Sequence, residues 1–183
     1  MHPKIKSLLI SLDRTREKYW NISSETAQFL NLLIKDRKYK TVLEIGSSNG
    51  YSGIWMAEAL SHTNGHLYTI ESNEERFDAA AENFKSSGLS KYITQILGHA
   101  PEDFPQALDP LDLAFFDATK SEHQSYFHTI APHIKKGGII ITDNTITHRK
   151  DLLPFINSIK SDPEWQSTEL KLGDGILLSV KSV

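Results

Sequence analysis

Apolar residues along this chain fall into two alternating rhythms. Five short runs read as strands: Thr41–Ile45, Leu67–Ile70, Ile93–Leu97, Leu113–Phe116 and Ile139–Thr142. They are near-continuous apolar stretches, the pattern of strands buried on both faces of a parallel sheet. Between them the spacing becomes helical. Tyr51–Leu60 sets Ile54, Met56, Ala57 and Leu60 near one face. Glu74–Ser86 starts acidic and stops before Gly88, which suits the helix dipole and a glycine C-cap. Ser121–Ile134 and Asp151–Lys160 read as two further helices. Two more, about Lys4–Tyr19 and Ser24–Asp36, precede the first strand, with Ser24 and Gln28 as a weak capping signal. Strands alternating with helices predict an α/β fold built of crossover units, a three-layer sandwich with a mostly parallel sheet. The chain's last part breaks the rhythm. Glu169–Leu172, then Gly173-Asp174-Gly175, then Ile176–Val180 reads as a hairpin, so the sheet should carry an antiparallel pair at one edge.

The 183 residues fit one domain, with N-terminal helices over 1–37 and the sheet-and-helix core over 38–183. Composition adds mainly exclusions. With no cysteine, disulfides, thiolate zinc sites and a cysteine nucleophile are ruled out, and a reducing cytoplasm fits. No apolar run approaches the roughly 20 residues of a membrane span. Leu8-Leu9-Ile10 is too short for the core of a signal peptide. The expectation is a soluble, cytoplasmic protein with no membrane partner. The net charge of −3 provides no global basic field toward nucleic acid.

Open α/β sheets bind ligands at the carboxyl ends of their strands. The first strand ends in Glu44-Ile45-Gly46-Ser47-Ser48-Asn49-Gly50 and the second in Glu71, 21 positions after Gly50. A carboxylate there can accept hydrogen bonds from both hydroxyls of a ribose, and dinucleotide folds place one about 20 residues past the glycine loop. The glycines, however, are spaced G-x-x-x-G rather than G-x-G-x-x-G, and Glu44 would repel a phosphate. A cofactor that is cationic and lacks phosphate fits better. S-adenosylmethionine, with a sulfonium and an ammonium, has that chemistry. The plainer reading is that Gly46 and Gly50 only turn the chain and Glu71 is a solvated strand end.

A second group lies at the ends of the fourth and fifth strands: Asp117, and Asp143-Asn144. Neighbouring strands are about 4.8 Å apart, so two carboxylates and an amide oxygen converge on one rim. Like charges so close call for a cation between them. Oxygen ligands with open positions suit magnesium, calcium or manganese. The plainer reading makes Asp143 a turn cap and Asp117 the cap of the helix near Ser121. Of the histidines, His99, His123 and His128 read as surface or capping residues, while His148 follows the acidic pair and could reach a substrate.

These segments resemble the small metal-dependent O-methyltransferases, the family of catechol and caffeoyl-coenzyme A O-methyltransferases and their bacterial relatives. The likeness runs from about Ser24 to Lys181. It rests on Val42-Leu43-Glu44-Ile45-Gly46, Gly50-Tyr51-Ser52, Thr69-Ile70-Glu71, Phe116-Asp117-Ala118-Thr119-Lys120, Thr142-Asp143-Asn144 and Gly173-Asp174-Gly175. It implies a Rossmann-like, seven-stranded methyltransferase sheet and S-adenosylmethionine as cofactor. Glu44, Gly46 and Ser52 would line the methionine end and Glu71 would hold the ribose. Gly98-His99-Ala100 would lie by the adenine. Ser47 and Ser72 fall in the same cofactor set. Asp117 would face both cofactor and metal. Asp117, Asp143 and Asn144 would be the ligands of a divalent metal such as magnesium, and Lys120 the catalytic base. An amine beside a cation is a better base, because its charged form is disfavoured.

The chain also departs from the family. The segment that lines the substrate pocket after the Asp-Asn pair is missing: Thr145-Ile146-Thr147-His148-Arg149 leads almost at once into the next helix. The N-terminal portion is short, and Thr119 stands where many relatives carry an acid. The leading expectation is metal-assisted methyl transfer to a small phenolic or catechol-like hydroxyl. One alternative is a hydroxyl on a modified tRNA base, with Lys38, Lys135-Lys136 and His148-Arg149-Lys150 as phosphate contacts. Another, of a different class, is a nicotinamide-dependent oxidoreductase. Leu8, Leu9 and Ile10 leave a homodimer open, or else cover the chain's own sheet.

Overall fold

The computed structural model describes residues 1–105, 107–108 and 110–182; Gln106, Asp109 and Val183 lie outside the described residues. Seven strands form one mixed sheet: β1 (Thr41–Ile45), β2 (His66–Glu71), β3 (Ile93–Leu97), β4 (Leu111–Phe116), β5 (Ile134–Thr142), β6 (Trp165–Leu170) and β7 (Ile176–Lys181), in the order β3-β2-β1-β4-β5-β7-β6. The first five run parallel. β7 pairs antiparallel with both β5 and β6, so the terminal hairpin forms one edge. The helices are α1 (Pro3–Asp13), α2 (Arg16–Tyr19), α3 (Ser24–Arg37), α4 (Tyr51–Thr63), α5 (Glu74–Ser87), α6 (His123–Ile130) and α7 (Arg149–Ser161).

Strand side chains alternate between two cores. Val42, Leu113, Phe115, Ile139 and Ile141 join α1, α3, α4 and α5 on one face. Leu43, Ile45, Ala114, Phe116 and Ile140 join α6 and α7 on the other. That is the expected three-layer sandwich. Leu9 is buried in the first core and Leu8 packs against it, α1 lying against α4 and α5, while Ile10 stays exposed. Among the described residues no helix is long and apolar enough to cross a membrane.

Several expectations about local structure need correction. The first strand of the terminal hairpin is Trp165–Leu170, not Glu169–Leu172, so Lys171 and Leu172 belong to the turn. The helix expected over Lys4–Tyr19 is two helices. The Thr15 hydroxyl and the Asn21 amide both donate to the Leu12 carbonyl and end α1 there (2.7 and 3.0 Å). The cap of α3 is Ser23, whose hydroxyl accepts from the Thr26 amide at 3.0 Å, and not Ser24. The helix expected over Ser121–Ile134 is α6 flanked by 3-10 turns at Lys120–Glu122 and Ala131–His133. Pro132 has no N–H to continue it, and Ile134 instead begins β5.

The strand register positions the site. Ile45 lies beside Ile70 and Phe116, and Phe116 beside Thr142. The ladder continues one residue past each strand. The Gly46 amide donates to the Ile70 carbonyl (2.9 Å), Asp117 to Ile45 (3.0 Å), Asp143 to Phe116 (3.1 Å) and Gly98 to Glu71 (3.0 Å). Gly46, Asp117, Asp143 and Gly98 are therefore level along one rim, with Glu71 ending β2 beside them.

Candidate active site

Along that rim runs a cleft of about 760 Å³. Of the expected cofactor residues, Gly46, Glu71, Ser72, His99, Ala100 and Asp117 line it. Glu71 is buried, and its two oxygens accept from the amides of Ser48 (2.8 Å) and Asn73 (2.9 Å). Each carboxylate oxygen can accept a further bond, the capacity a ribose diol requires. Glu122 joins two residues that line the cleft, His99 (3.1 Å) and Tyr126 through its hydroxyl (2.7 Å).

Glu44, Ser47 and Ser52 do not reach the cleft surface. Glu44 is fully buried on the α4 side of β1, accepting from the hydroxyls of Ser52 (2.5 Å) and Thr69 (2.6 Å). Burial pushes its carboxyl up to about 7, against the pull of those hydroxyls and aided by the charges of Asp117 and Glu71. Glu44 and Ser52 are thus bonded to each other behind the glycine loop. Ser47 is buried, with no partner for its hydroxyl.

The acidic pair converges as the adjacency of β4 and β5 requires. Asp117 accepts a bond from the Lys120 amine at 2.9 Å, and burial raises its carboxyl despite that cation. Asp143 is 1% exposed, and neither of its oxygens has a hydrogen-bond partner. Burial and the neighbouring Asp117 push its carboxyl up to about 8. Asn144 lines the cleft in the left-handed conformation (φ 65°). A buried carboxylate with no partner is costly and calls for a cation or proton. Among the described residues no three His, Cys, Asp or Glu side chains form a metal-ligating group. The expected set is two carboxylates and one amide, and its oxygen donors suit a hard divalent cation.

Arg16, Trp20, Arg76 and Asp174 are among the residues that sequence reasoning did not select and that also line the cleft. Asp174 was quoted only as part of a glycine-rich motif, yet its charge bears on both Asp117 and Asp143. Helix α2 crosses the mouth as a strap. At one end the Arg16 guanidinium donates to Asp174 (2.5 Å). In the middle the Ser48 hydroxyl donates to the Tyr19 carbonyl (2.6 Å). At the other end Trp20, left-handed at φ 54° and 68% exposed, lies under the Arg76 guanidinium at 4.4 Å. No Pro or Gly marks α2; a tryptophan within a charged run was the one available signal. Thr147 and His148 also line the cleft, the Thr147 amide donating to the carbonyl of Asp174 (3.4 Å). His123, expected to be a surface or capping residue, is fully buried.

A Rossmann-like sheet with a buried acid ending β2 and two carboxylates just past β4 and β5 has the architecture of an open α/β fold that binds its ligand at the carboxyl ends of its strands. The O-methyltransferase family model matches residues 2–182, and the chain belongs to that family of enzymes. A catechol O-methyltransferase from Niastella koreensis is 34% identical over 136 residues, 72% of this chain and 61% of that enzyme. The aligned part thus spans about three-fifths of that relative's length. A caffeoyl-CoA O-methyltransferase from Mesembryanthemum crystallinum is 28% identical over 193 residues, covering 91% of this chain and 76% of its own. An O-methyltransferase from Bacillus cereus, solved in complex with SAH (S-adenosylhomocysteine), superposes with a TM-score of 0.87 at 25% identity. It covers 100% of this chain and 92% of its own. These matches favour methyl transfer over the nicotinamide alternative.

Proposed function

We propose that this protein transfers the methyl group of S-adenosylmethionine to a hydroxyl of a small phenolic or catechol-like acceptor, with a divalent cation held by Asp117, Asp143 and Asn144. The observation that carries this reading is Asp143: a buried carboxylate with neither oxygen bonded, next to the Asp117–Lys120 pair. A cation bound there supplies charge that stabilises an ionised acceptor hydroxyl.

The chain's own residues do the rest. Glu71 holds the ribose and the Gly46 loop lets the cofactor approach the backbone. Lys120, 2.9 Å from Asp117, takes the acceptor's proton. The resulting oxyanion attacks the sulfonium methyl in line, forming the O–C bond as the C–S bond breaks and leaving S-adenosylhomocysteine. Asn144, Thr147 and His148 flank the acceptor, and holding the two reactants in line supplies much of the rate.

The test is calorimetric binding of S-adenosylhomocysteine with magnesium and with EDTA, thermal melts with and without magnesium, then turnover on catechol. Binding, metal-dependent turnover and a magnesium-induced rise in melting temperature that Asp143→Asn abolishes are expected. No binding of the thioether would overturn the cofactor assignment. Turnover unaffected by EDTA, with no magnesium effect on melting, would overturn the metal assignment. Binding and a magnesium effect without turnover on catechols would exclude that acceptor class.

A further inference from the structure

His123 opens α6, and its ring packs between Phe116 (centroids 5.9 Å apart, planes at 81°), Tyr126 (5.4 Å) and Phe155 (5.7 Å). It is fully buried. Such a slot is shaped for a phenyl ring, and an imidazole there leaves Nε2 without a partner. A buried polar atom with no hydrogen bond destabilises the fold, so packing alone does not account for a histidine.

The other nitrogen gives the reason. Nδ1 lies 3.1 Å from the Thr119 carbonyl oxygen. A carbonyl only accepts, so Nδ1 carries the hydrogen and the ring is the neutral Nδ1–H tautomer. Burial favours the neutral ring, and with the nearby Lys120 charge it pulls the imidazole down to about 4. The same carbonyl also accepts from the Glu122 amide at 3.0 Å. Thr119 provides no side-chain cap to the 3-10 turn Lys120–Glu122. The peptide immediately before Lys120 is therefore held by two donors, one of them the imidazole. The ring also packs on Phe116, the residue before Asp117. Both ends of the segment that carries Asp117 and Lys120 thus touch His123.

We propose that His123 is a positioning residue, which by fixing the Thr119 carbonyl sets the direction in which the Lys120 amine points. The inference rests on the role given to Lys120 above, and adds to it a buried group that touches neither cofactor nor acceptor.

Two variants separate this from a packing role. His123→Phe keeps the ring contacts and removes both nitrogens. His123→Asn keeps an N–H donor near the Nδ1 position and removes the ring. His123→Phe is expected to melt no lower than wild type and to bind S-adenosylhomocysteine equally well. Its kcat on catechol should fall about tenfold with KM unchanged, within the loss that ångström-scale misplacement causes. His123→Asn should melt lower yet turn over faster than His123→Phe. A readout that needs no acceptor is amide hydrogen exchange of Glu122 in the cofactor-free protein. It should accelerate selectively in His123→Phe and return toward wild type in His123→Asn. Unchanged Glu122 exchange in His123→Phe, wild-type turnover by that variant, or rates that simply follow melting temperature would each overturn the proposal. Should wild type methylate no catechol, the functional reading fails, while the exchange of Glu122 still decides the role of His123.

Discussion

Gly46 and Asp117 meet backbone to backbone: a Cβ built on Gly46 would lie 2.5 Å from the Asp117 carbonyl oxygen. The loop proposed to receive the cofactor thus presses directly on the residue proposed to face the metal. Gly46 also sits at φ +95°, a region that side chains avoid. Gly46→Ala is expected to destabilise by roughly 1–3 kcal/mol from backbone strain, and by more where the loop cannot retreat. Gly88→Ala is the control. It shares a positive φ (+76°) but meets nothing within 4 Å, so only about 1–2 kcal/mol should be lost. Denaturant midpoints compare the two, and only Gly46→Ala should also weaken binding of S-adenosylhomocysteine.

Glu44 makes stability depend on pH. Its folded carboxyl is raised from 4.5 to about 7, so the folded state holds a proton that the unfolded state releases. The stabilisation is complete below about pH 4.5, is lost as pH rises toward 7, and changes no further above that. Asp143 acts in the same sense up to about 8 in metal-free protein. His123 acts in the opposite sense, its contribution disappearing as pH falls from 6.5 toward 4. The informative comparison is therefore wild type against Glu44→Gln, an isostere of the protonated acid. The variant should lose less stability between pH 5 and 7, by an amount on the order of 3 kcal/mol at most. Parallel curves from chemical denaturation across that range would show that Glu44 ionises normally.

Lys120→Met removes the amine and keeps much of the stem. As a general base the lysine should be worth about 10²–10⁴ in kcat. Affinity for S-adenosylhomocysteine should stay within a few-fold of wild type, because the contacts assigned to the cofactor lie on other residues. Single-turnover methyl transfer alongside calorimetry provides both numbers.

The strap can be loosened at one end. The Arg16–Asp174 pair is part-exposed on both sides, so Arg16→Ala should change stability by no more than about 1 kcal/mol. Its effect should appear in kinetics, as several-fold faster release of S-adenosylhomocysteine. Lids over clefts govern exchange in this way. Trp20, on the same strap and at the cleft wall, provides the fluorescence signal for stopped-flow mixing.

The strands were legible because burial on both faces leaves little choice but apolar runs. β1 and β3 were read to the residue, and the Gly88 cap of α5 follows from its left-handed φ of 76°. β5 was read short. Gly137 and Gly138 sit in an irregular stretch where Leu111 pairs Ile134 and Leu113 pairs Ile139, and periodicity has no signal for such a slip. Rim positions such as Glu71, Asp117 and Asp143 were legible because they follow directly from strand ends. Direction was not. Glu44 shares β1 with Val42 and by alternation must face α4 with it, which places it behind the glycine loop. Arg16, Trp20 and Asp174 were invisible for another reason. They come together at the cleft through tertiary contacts of the chain's beginning with distant segments, Arg16 with Asp174 158 positions on and Trp20 with Arg76.

The ladder that levels Gly46, Asp117 and Asp143 has a consequence for how this chain tolerates change. Apolar side chains that the surrounding helices bury can be exchanged for others of similar volume, because they do not set the distances among the rim groups. Chain length in the central strands is another matter. Removing or adding one residue between Ile139 and Thr142 would slide β5 by one step against β4 and turn Asp143 to the opposite face of the sheet. The protein should therefore accept many substitutions in its outer layers, and insertions in loops far from the rim, yet accept no insertion or deletion at all in β4 or in the last four residues of β5.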